Sequence, residues 1–222
     1  MQTYNLSEIC ARSDIDLVEL YYLLENLPHV GKIDEGPWIA GGLLRRLLTK
    51  QPLDKGDIDF FCHNSVQFDE LKKNIEKMGH ELIEENAHAI TYKFTHSKEP
   101  TFLIGNEAET FYDKEYKIQL INIGFYDCVE NLLDTFDFTL CQFALSKEGP
   151  TDFRLHTGDY TLWDVGRKRM VINEITFGLS TLRRMFKYQN QGYEICSGCL
   201  NYFLYSIAND SKLIRSDIKY VE

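Results

Sequence analysis

Two carboxylates set two residues apart, Asp57 and Asp59, are the side chains of this sequence whose type and spacing most directly suggest chemistry. They lie in Asp57-Ile58-Asp59-Phe60-Phe61, an alternation that reads as a strand, so both acids project to one side while Ile58 and Phe60 project to the other. Acids held side by side are costly unless a cation joins them. Hard oxygen donors in this arrangement suit Mg²⁺ or Mn²⁺ shared with substrate phosphates. The economical reading is a metal-dependent phosphoryl or nucleotidyl transfer site; the structural alternative is a strand with two solvated acids, since a lone Asp-x-Asp is common.

The elements that must position these acids precede them. A short apolar run, 38–40, ends in the pair Gly41 and Gly42, where the backbone can approach a ligand with no Cβ in the way. Leu43, Leu44, Leu47 and Leu48 then fall at helical spacing, with Arg45 and Arg46 between them and a breaker-rich loop at 51–56. On such a helix Arg45 faces either bound phosphates or solvent.

Gly-Gly, a helix, then hydrophobic-Asp-x-Asp-hydrophobic resembles the nucleotidyltransferase superfamily, which includes DNA polymerase beta and the tRNA CCA-adding enzymes. GGLLRR followed by DKGDIDFF is most similar to the head of bacterial CCA-adding enzymes and poly(A) polymerases. Gly41, Gly42, Arg45, Asp57 and Asp59 match that motif; Arg46 stands where the family has an acid, and the gap before the acids is slightly longer. Two weaker echoes follow in order. TFDFTLCQFAL, 135–145, resembles the family segment RRDFTINALA, with Asp137 on its acid and Thr135, Phe136 and Cys141 replacing its arginines and asparagine. TLRRMFKYQNQGYEI, 181–195, resembles the neck segment, with Arg184 and Lys187 in its basic positions.

The resemblance covers roughly residues 37–195 and implies an α+β, nucleotidyltransferase-fold mixed sheet with flanking helices and a small C-terminal helical region. It implies a catalytic domain over 1–156 and a helical neck-like region over 157–222. Asp57 and Asp59 would be the catalytic, metal-holding pair, and Gly41, Gly42, Arg45, Asp137, Arg184 and Lys187 would bind the nucleotide. The implied reaction moves a nucleoside monophosphate from an NTP to an acceptor hydroxyl, an RNA or tRNA end among the candidates. The lost arginines before Asp137 imply different nucleotide handling. Gln119 occupies the centre of the polar face of an expected strand, 116–123, where the superfamily often supplies a third carboxylate; Asp113 and Asp137 are the candidate substitutes. CCA-adding enzymes continue past the neck into a helical body that grips tRNA, and this sequence stops soon after it. The acceptor therefore stays open among nucleic acid, protein and small molecule, toxin–antitoxin chemistry included. A catalytically silent member that binds a nucleotide or a partner protein is the alternative.

Composition bounds these readings. With 222 residues, 44% hydrophobic and 13% aromatic, the chain can bury a real core and is not disordered. A formal net charge of −10 argues against a sequence-independent nucleic-acid wrapper. A local basic face remains available in Arg167, Lys168, Arg169, Arg183, Arg184 and Lys187, either a phosphate contact or a solvated surface. No stretch approaches the roughly 20 apolar residues of a membrane span and no leader pattern opens the chain, so a cytoplasmic protein is expected. The six cysteines are scattered in apolar contexts that suit reduced thiols; Cys196-Ser-Gly-Cys199 has ligand spacing but no second pair, and reads as a helix start before it reads as zinc.

Periodicity predicts an arm over 1–10, a helix over 13–27 with Ser13 as N-cap, and strand–helix–strand over 37–40, 42–49 and 57–63. It further predicts a helix over 66–78, a hairpin of 87–95 with 101–104, a helix over 127–134 and a strand over 136–145. Helices over 158–165, 179–188 and 197–207 and a short strand over 170–172 complete the expectation.

Overall fold

The computed structural model describes residues 1–95, 114–210 and 212–213. It is an α+β protein with an eight-stranded mixed sheet and flanking helices, as the sequence led us to expect. The chain divides into two compact units, one of residues 3–129 and 144–156, the other of 1–2, 130–143 and the described residues from 157 on.

The first unit carries the sheet. Strand β1 (Gln2–Asn5) leads into helix α1 (Leu6–Arg12), whose N-cap Asn5 accepts from the Glu8 N–H, and helix α2 (Val18–Asn26) follows. A strand and two helices thus replace the expected arm and single helix. Ser13 caps the C-terminus of α1, its N–H donating to Cys10 O, and Asp14 takes φ 51°, a left-handed value no α-helix tolerates. Strand β2 (Trp38–Ala40), helix α3 (Gly42–Leu48) and strand β3 (Asp57–Phe61) follow as predicted, with a 3₁₀ turn (Leu53–Lys55) inside the expected loop. Helix α4 (Ser65–Lys77) is capped by Asn64 and buries Phe68, Leu71 and Ile75, the three- and four-residue spacing of one helical face.

Strands β4 (Glu81–Glu85) and β5 (Ala89–Lys93) form a hairpin, a different pairing from the one expected of 87–95. The partner expected at 101–104 lies outside the described residues. The β4 strand was missed because Leu82 and Ile83, adjacent in sequence, are both exposed, so it has no alternating pattern. Strand β6 (Lys117–Ile121) lies within the predicted 116–123. Strand β7 (Phe143–Lys147) begins later than the predicted 136–145, and β8 (Phe153–Thr157) was not anticipated.

The sheet order is β1-β8-β7-β2-β3-β6-β5-β4. Strand β2 runs antiparallel to β3 and β7, β3 runs parallel to β6, and β6, β5 and β4 alternate. Buried in this unit are Ile39, Ile58, Phe60, Tyr92, Ile118 and Leu120 of the sheet, Leu43 and Leu44 of α3, and the apolar face of α4. A polar chain lies inside this unit: Ser146 Oγ donates to Glu148 Oε1 (2.8 Å) and lies 2.9 Å from His156 Nε2, and His156 Nδ1 lies 3.0 Å from Thr3 Oγ1. Because the Ser146 proton is committed to Glu148, His156 Nε2 carries the hydrogen and Nδ1 accepts from Thr3. Burial holds His156 neutral, with its pKa lowered to about 4.

The second unit is mainly helical. It holds helix α5 (Val129–Asp134) from Glu130 on, a 3₁₀ turn (Thr139–Cys141), and helices α6 (Thr161–Gly166), α7 (Gly178–Asn190) and α8 (Ser197–Asn209). Strands β9 (Arg169–Met170) and β10 (Glu194–Ile195) pair in parallel. Residues 136–142, expected to open a strand, form a turn in which Gln142 Nε2 donates to Leu133 O and Phe138 bridges Ile172. Helix α7 ends where Gly192 takes φ 83°, its N–H donating to Gln189 O while Tyr193 N–H donates to Tyr188 O. Phe138, Tyr188 and Tyr193 meet edge to face around this end, with centroids 5.6 and 6.2 Å apart. Among the described residues no helix is long and apolar enough to cross a membrane.

Candidate functional site

The register of β2 on β3 builds the site in the first unit. Ala40 pairs with Asp59, Ile39 with Phe60 and Trp38 with Phe61, so Asp59 lies beside the residue that enters the glycine turn. Gly41 takes φ 86° and ψ −129°, a conformation that glycine adopts readily and other residues resist. At Gly42 an added Cβ would meet nothing within 4 Å, so that position opens onto free space.

Asp57 and Asp59 are half-buried and alternate with the buried Ile58 and Phe60, which sets both acids on one face. Across the parallel pair Asp57 aligns with Lys117 and Asp59 with Gln119; across the next pair Gln119 aligns with Thr91 and Lys117 with Lys93. Paired residues share a face, so the acid face continues as Lys117, Gln119, Thr91 and Lys93. Gln119 therefore lies directly beside Asp59. Lys117 puts a cation beside Asp57, a neighbour that sequence reasoning missed: β6 showed a polar face at Lys117 and Gln119, but the register that aligns it with the acids is not written locally.

Arg45 is 4% exposed, so it belongs to the interior and not to a solvated face. Arg46 lies across Gly56: a Cβ built on that glycine would stand 2.7 Å from Arg46 Nε. The residue at the family's acid position thus brings a guanidinium against the residue that precedes Asp57.

Among the described residues no cluster of three or more His, Cys, Asp or Glu side chains could hold a metal ion. What the first unit offers is the two-carboxylate face of β3. Two hard oxygen donors, with the other positions left to water and phosphate, fit the way Mg²⁺ is usually held.

The other expected residues lie in the second unit. Asp137 is 5% exposed, and its Oδ2 accepts from Arg184 Nη1 at 2.7 Å and from Thr181 Oγ1 at 3.2 Å. Asp137 is thereby occupied with α7. Lys187, one turn further along α7, is exposed. Of the basic cluster, Arg167 stacks over Trp163 (4.1 Å), Lys168 over Tyr193 (4.4 Å), and Arg169 Nε lies 3.7 Å from Asp164 Oδ1. Asp113 lies outside the described residues. Cys196 is the N-cap of α8, the helix start its sequence suggested.

The sheet order and the acid-bearing strand define a class of fold, that of the CCA-adding nucleotidyltransferases. A CCA-adding enzyme of Thermotoga maritima solved with tRNA matches 94% of this chain and 46% of its own, with TM-score 0.56 and 16% identity. A CCA-adding enzyme solved with CTP matches 97% of this chain and 48% of its own, with TM-score 0.57 and 20% identity. Within that fold the chain belongs to the Gabija anti-defense 2 family, whose model matches residues 14–168. "Gabija anti-defense 2" of Bacillus phage SPbetaL7 is 27% identical over 174 residues, 78% of this chain and 38% of that protein. The chain spans less than half the length of each of these relatives.

Proposed function

We propose that the first unit is a metal-dependent nucleotidyltransferase centre that moves a nucleoside monophosphate from an NTP to an acceptor hydroxyl, and that it serves an anti-defence role. The observation that carries this reading is the register of Ala40 on Asp59, which sets two carboxylates beside a glycine turn on one sheet face. Family membership supports the anti-defence setting and favours an acceptor on a component of the opposed defence system. The tRNA- and CTP-bound structures of the fold neighbours support an NTP donor and keep an RNA end as the competing acceptor.

In this reading Asp57 and Asp59 would hold a divalent ion, Mg²⁺ or Mn²⁺. The bound ion would neutralise phosphate charge and polarise the α-phosphoryl group. Gly41 and Gly42 leave the main chain approachable by the triphosphate. Arg45 and Lys117 supply positive charge around it. The acceptor oxygen attacks the α-phosphorus in line, and pyrophosphate leaves. We assign Asp137 and Arg184 to positioning α7.

A second reading, a silent member that binds a nucleotide or a partner protein, is favoured by Gln119 beside Asp59 and Lys117 beside Asp57, which dilute the acid face. One experiment separates the two. Purified protein is incubated with each labelled NTP, Mg²⁺ or Mn²⁺, and host RNA and protein that include the defence components, beside Asp57→Ala/Asp59→Ala. Label transferred only by the wild type is the expected result. Absence of transfer from a folded protein that still binds an NTP would replace this proposal with the second reading.

A further inference from the structure

The pair Cys196 and Cys199 is the strongest chemical feature that the nucleotidyltransferase reading leaves unused. Cys196 caps helix α8, and its sulfur accepts the Cys199 N–H at 3.4 Å. That contact folds the Cys196 side chain back over the first turn of α8, where Cys199 sits, so the two sulfurs can be joined by a local adjustment of the cap and the two side chains. Gly198 between them leaves the turn open, since a Cβ built there would come only within 3.8 Å of Cys196 Sγ.

The two sulfurs differ in a way that assigns roles. Cys196 is exposed and Cys199 half-buried. Hydrogen bonds from the Cys199 backbone and thiol, with a smaller contribution from the Arg169 charge, lower the Cys196 thiol. Burial raises that of Cys199. Both the open position and the greater thiolate character favour Cys196 as the nucleophile. Three other cysteines, Cys10, Cys62 and Cys141, are buried, and desolvation pushes Cys10 up to about 11 and Cys62 up to about 12. With no third ligating side chain grouped around the pair among the described residues, a closed zinc site is disfavoured.

We propose that Cys196 and Cys199 form a redox-active dithiol that exchanges with low-molecular-weight disulfides, Cys196 attacking and Cys199 resolving. The Cys196 thiolate attacks one sulfur of the small disulfide, the S–S bond breaks, and one small thiolate leaves while the other half stays on Cys196. Cys199 then gives its proton to solvent and attacks the Cys196 sulfur, expelling the second small thiolate. The protein loses two electrons and two protons, and the small disulfide becomes two thiols. The closed bridge pins the first turn of α8 where it follows β10, and it shares no residue with the acids of β3.

The test treats the full chain with oxidised glutathione at neutral pH, alkylates the remaining thiols and maps the peptides. In the wild type the Cys196–Cys199 peptide is expected to lose two hydrogens while the other cysteines stay alkylatable. Cys199→Ser is expected to accumulate glutathione on Cys196, at least about tenfold faster than on the half-buried Cys128. Cys196→Ser, in which serine is itself a good helix cap, keeps the fold and loses the fast reaction. Equal labelling of Cys196 and Cys128, or no bridge in the wild type, would overturn the proposal. So would purification of the pair with bound zinc that blocks the bridge.

Discussion

Arg184 Nη1 lies 2.7 Å from Asp137 Oδ2, which joins the Phe136–Phe138 turn to the middle of α7 within the second unit. Asp137 is almost fully buried, so its carboxylate depends on that guanidinium and on Thr181 for compensation. Arg184→Ala strands a buried charge and is expected to cost ~2–3 kcal/mol, toward the low side for a buried pair because Arg184 is partly exposed. Urea unfolding without nucleotide reads this directly. A loss seen only with NTP present would instead mark Arg184 as a phosphate ligand.

The two glycines of the turn are expected to respond differently. Gly41→Ala forces a side chain into φ 86°, ψ −129° and should destabilise the protein by ~1–3 kcal/mol. Gly42→Ala meets open space, so its melting temperature should stay near wild type while NTP affinity or transfer falls. Thermal melts beside nucleotide titrations check both. A Gly42→Ala protein with unchanged NTP binding and transfer would count against the turn as the phosphate cradle.

Gln119→Asp would place a third acid next to Asp59. Like charges side by side on a sheet should cost ~1 kcal/mol without metal, a loss that Mn²⁺ should reverse. Melting curves with Mn²⁺ and with chelator measure the difference. If the variant gains no more from Mn²⁺ than the wild type, the acid face of β3 is not a cation site.

The buried His156 gives a stability signature in acid. Its folded pKa, about 4, lies below the unfolded value near 6.5, so the unfolded chain takes up this proton first as pH falls. Its contribution is complete above pH ~6.5 and disappears as pH falls toward 4, a loss of roughly 3 kcal/mol. His156→Gln should lower stability at pH 7, because contacts with Ser146 and Thr3 are lost, yet fall less steeply than wild type between pH 6.5 and 4. Parallel slopes for the two proteins would refute the assignment.

What the sequence disclosed, it disclosed through local constraints. The glycine pair, the leucine spacing of α3 and the alternation of β3 each act within a few residues, and the strand–helix–strand around them was predicted nearly to its ends. Helix α7, predicted over 179–188 and observed as Gly178–Asn190, was legible for the same reason. Long-range pairing was not. That Lys117 and Gln119 align with the two acids depends on a register between strands 60 residues apart, and the Asp137–Arg184 bond spans 47 positions. Helix α1 fell in the stretch expected as an arm, and Ser13, followed by acids, read as the N-cap of a helix whereas it is the C-cap of α1; no glycine or proline announced the left-handed turn at Asp14.

The position of β2 between β3 and β7 bears on how the chain is made. One neighbour of β2 is synthesised about twenty residues later; the other arrives only with Ala144 and Leu145, about a hundred residues on. Until then the strand that enters the glycine turn has a free edge on the emerging chain, and such an edge invites pairing with another chain. A fragment ending near residue 129 would hold both acids, the glycines and α4, yet lack β7 and β8 to close the sheet beside them. Chain order thus gives the 144–156 hairpin a task unlike chemistry: it is the late-arriving guard of the strand on which the candidate site is hung.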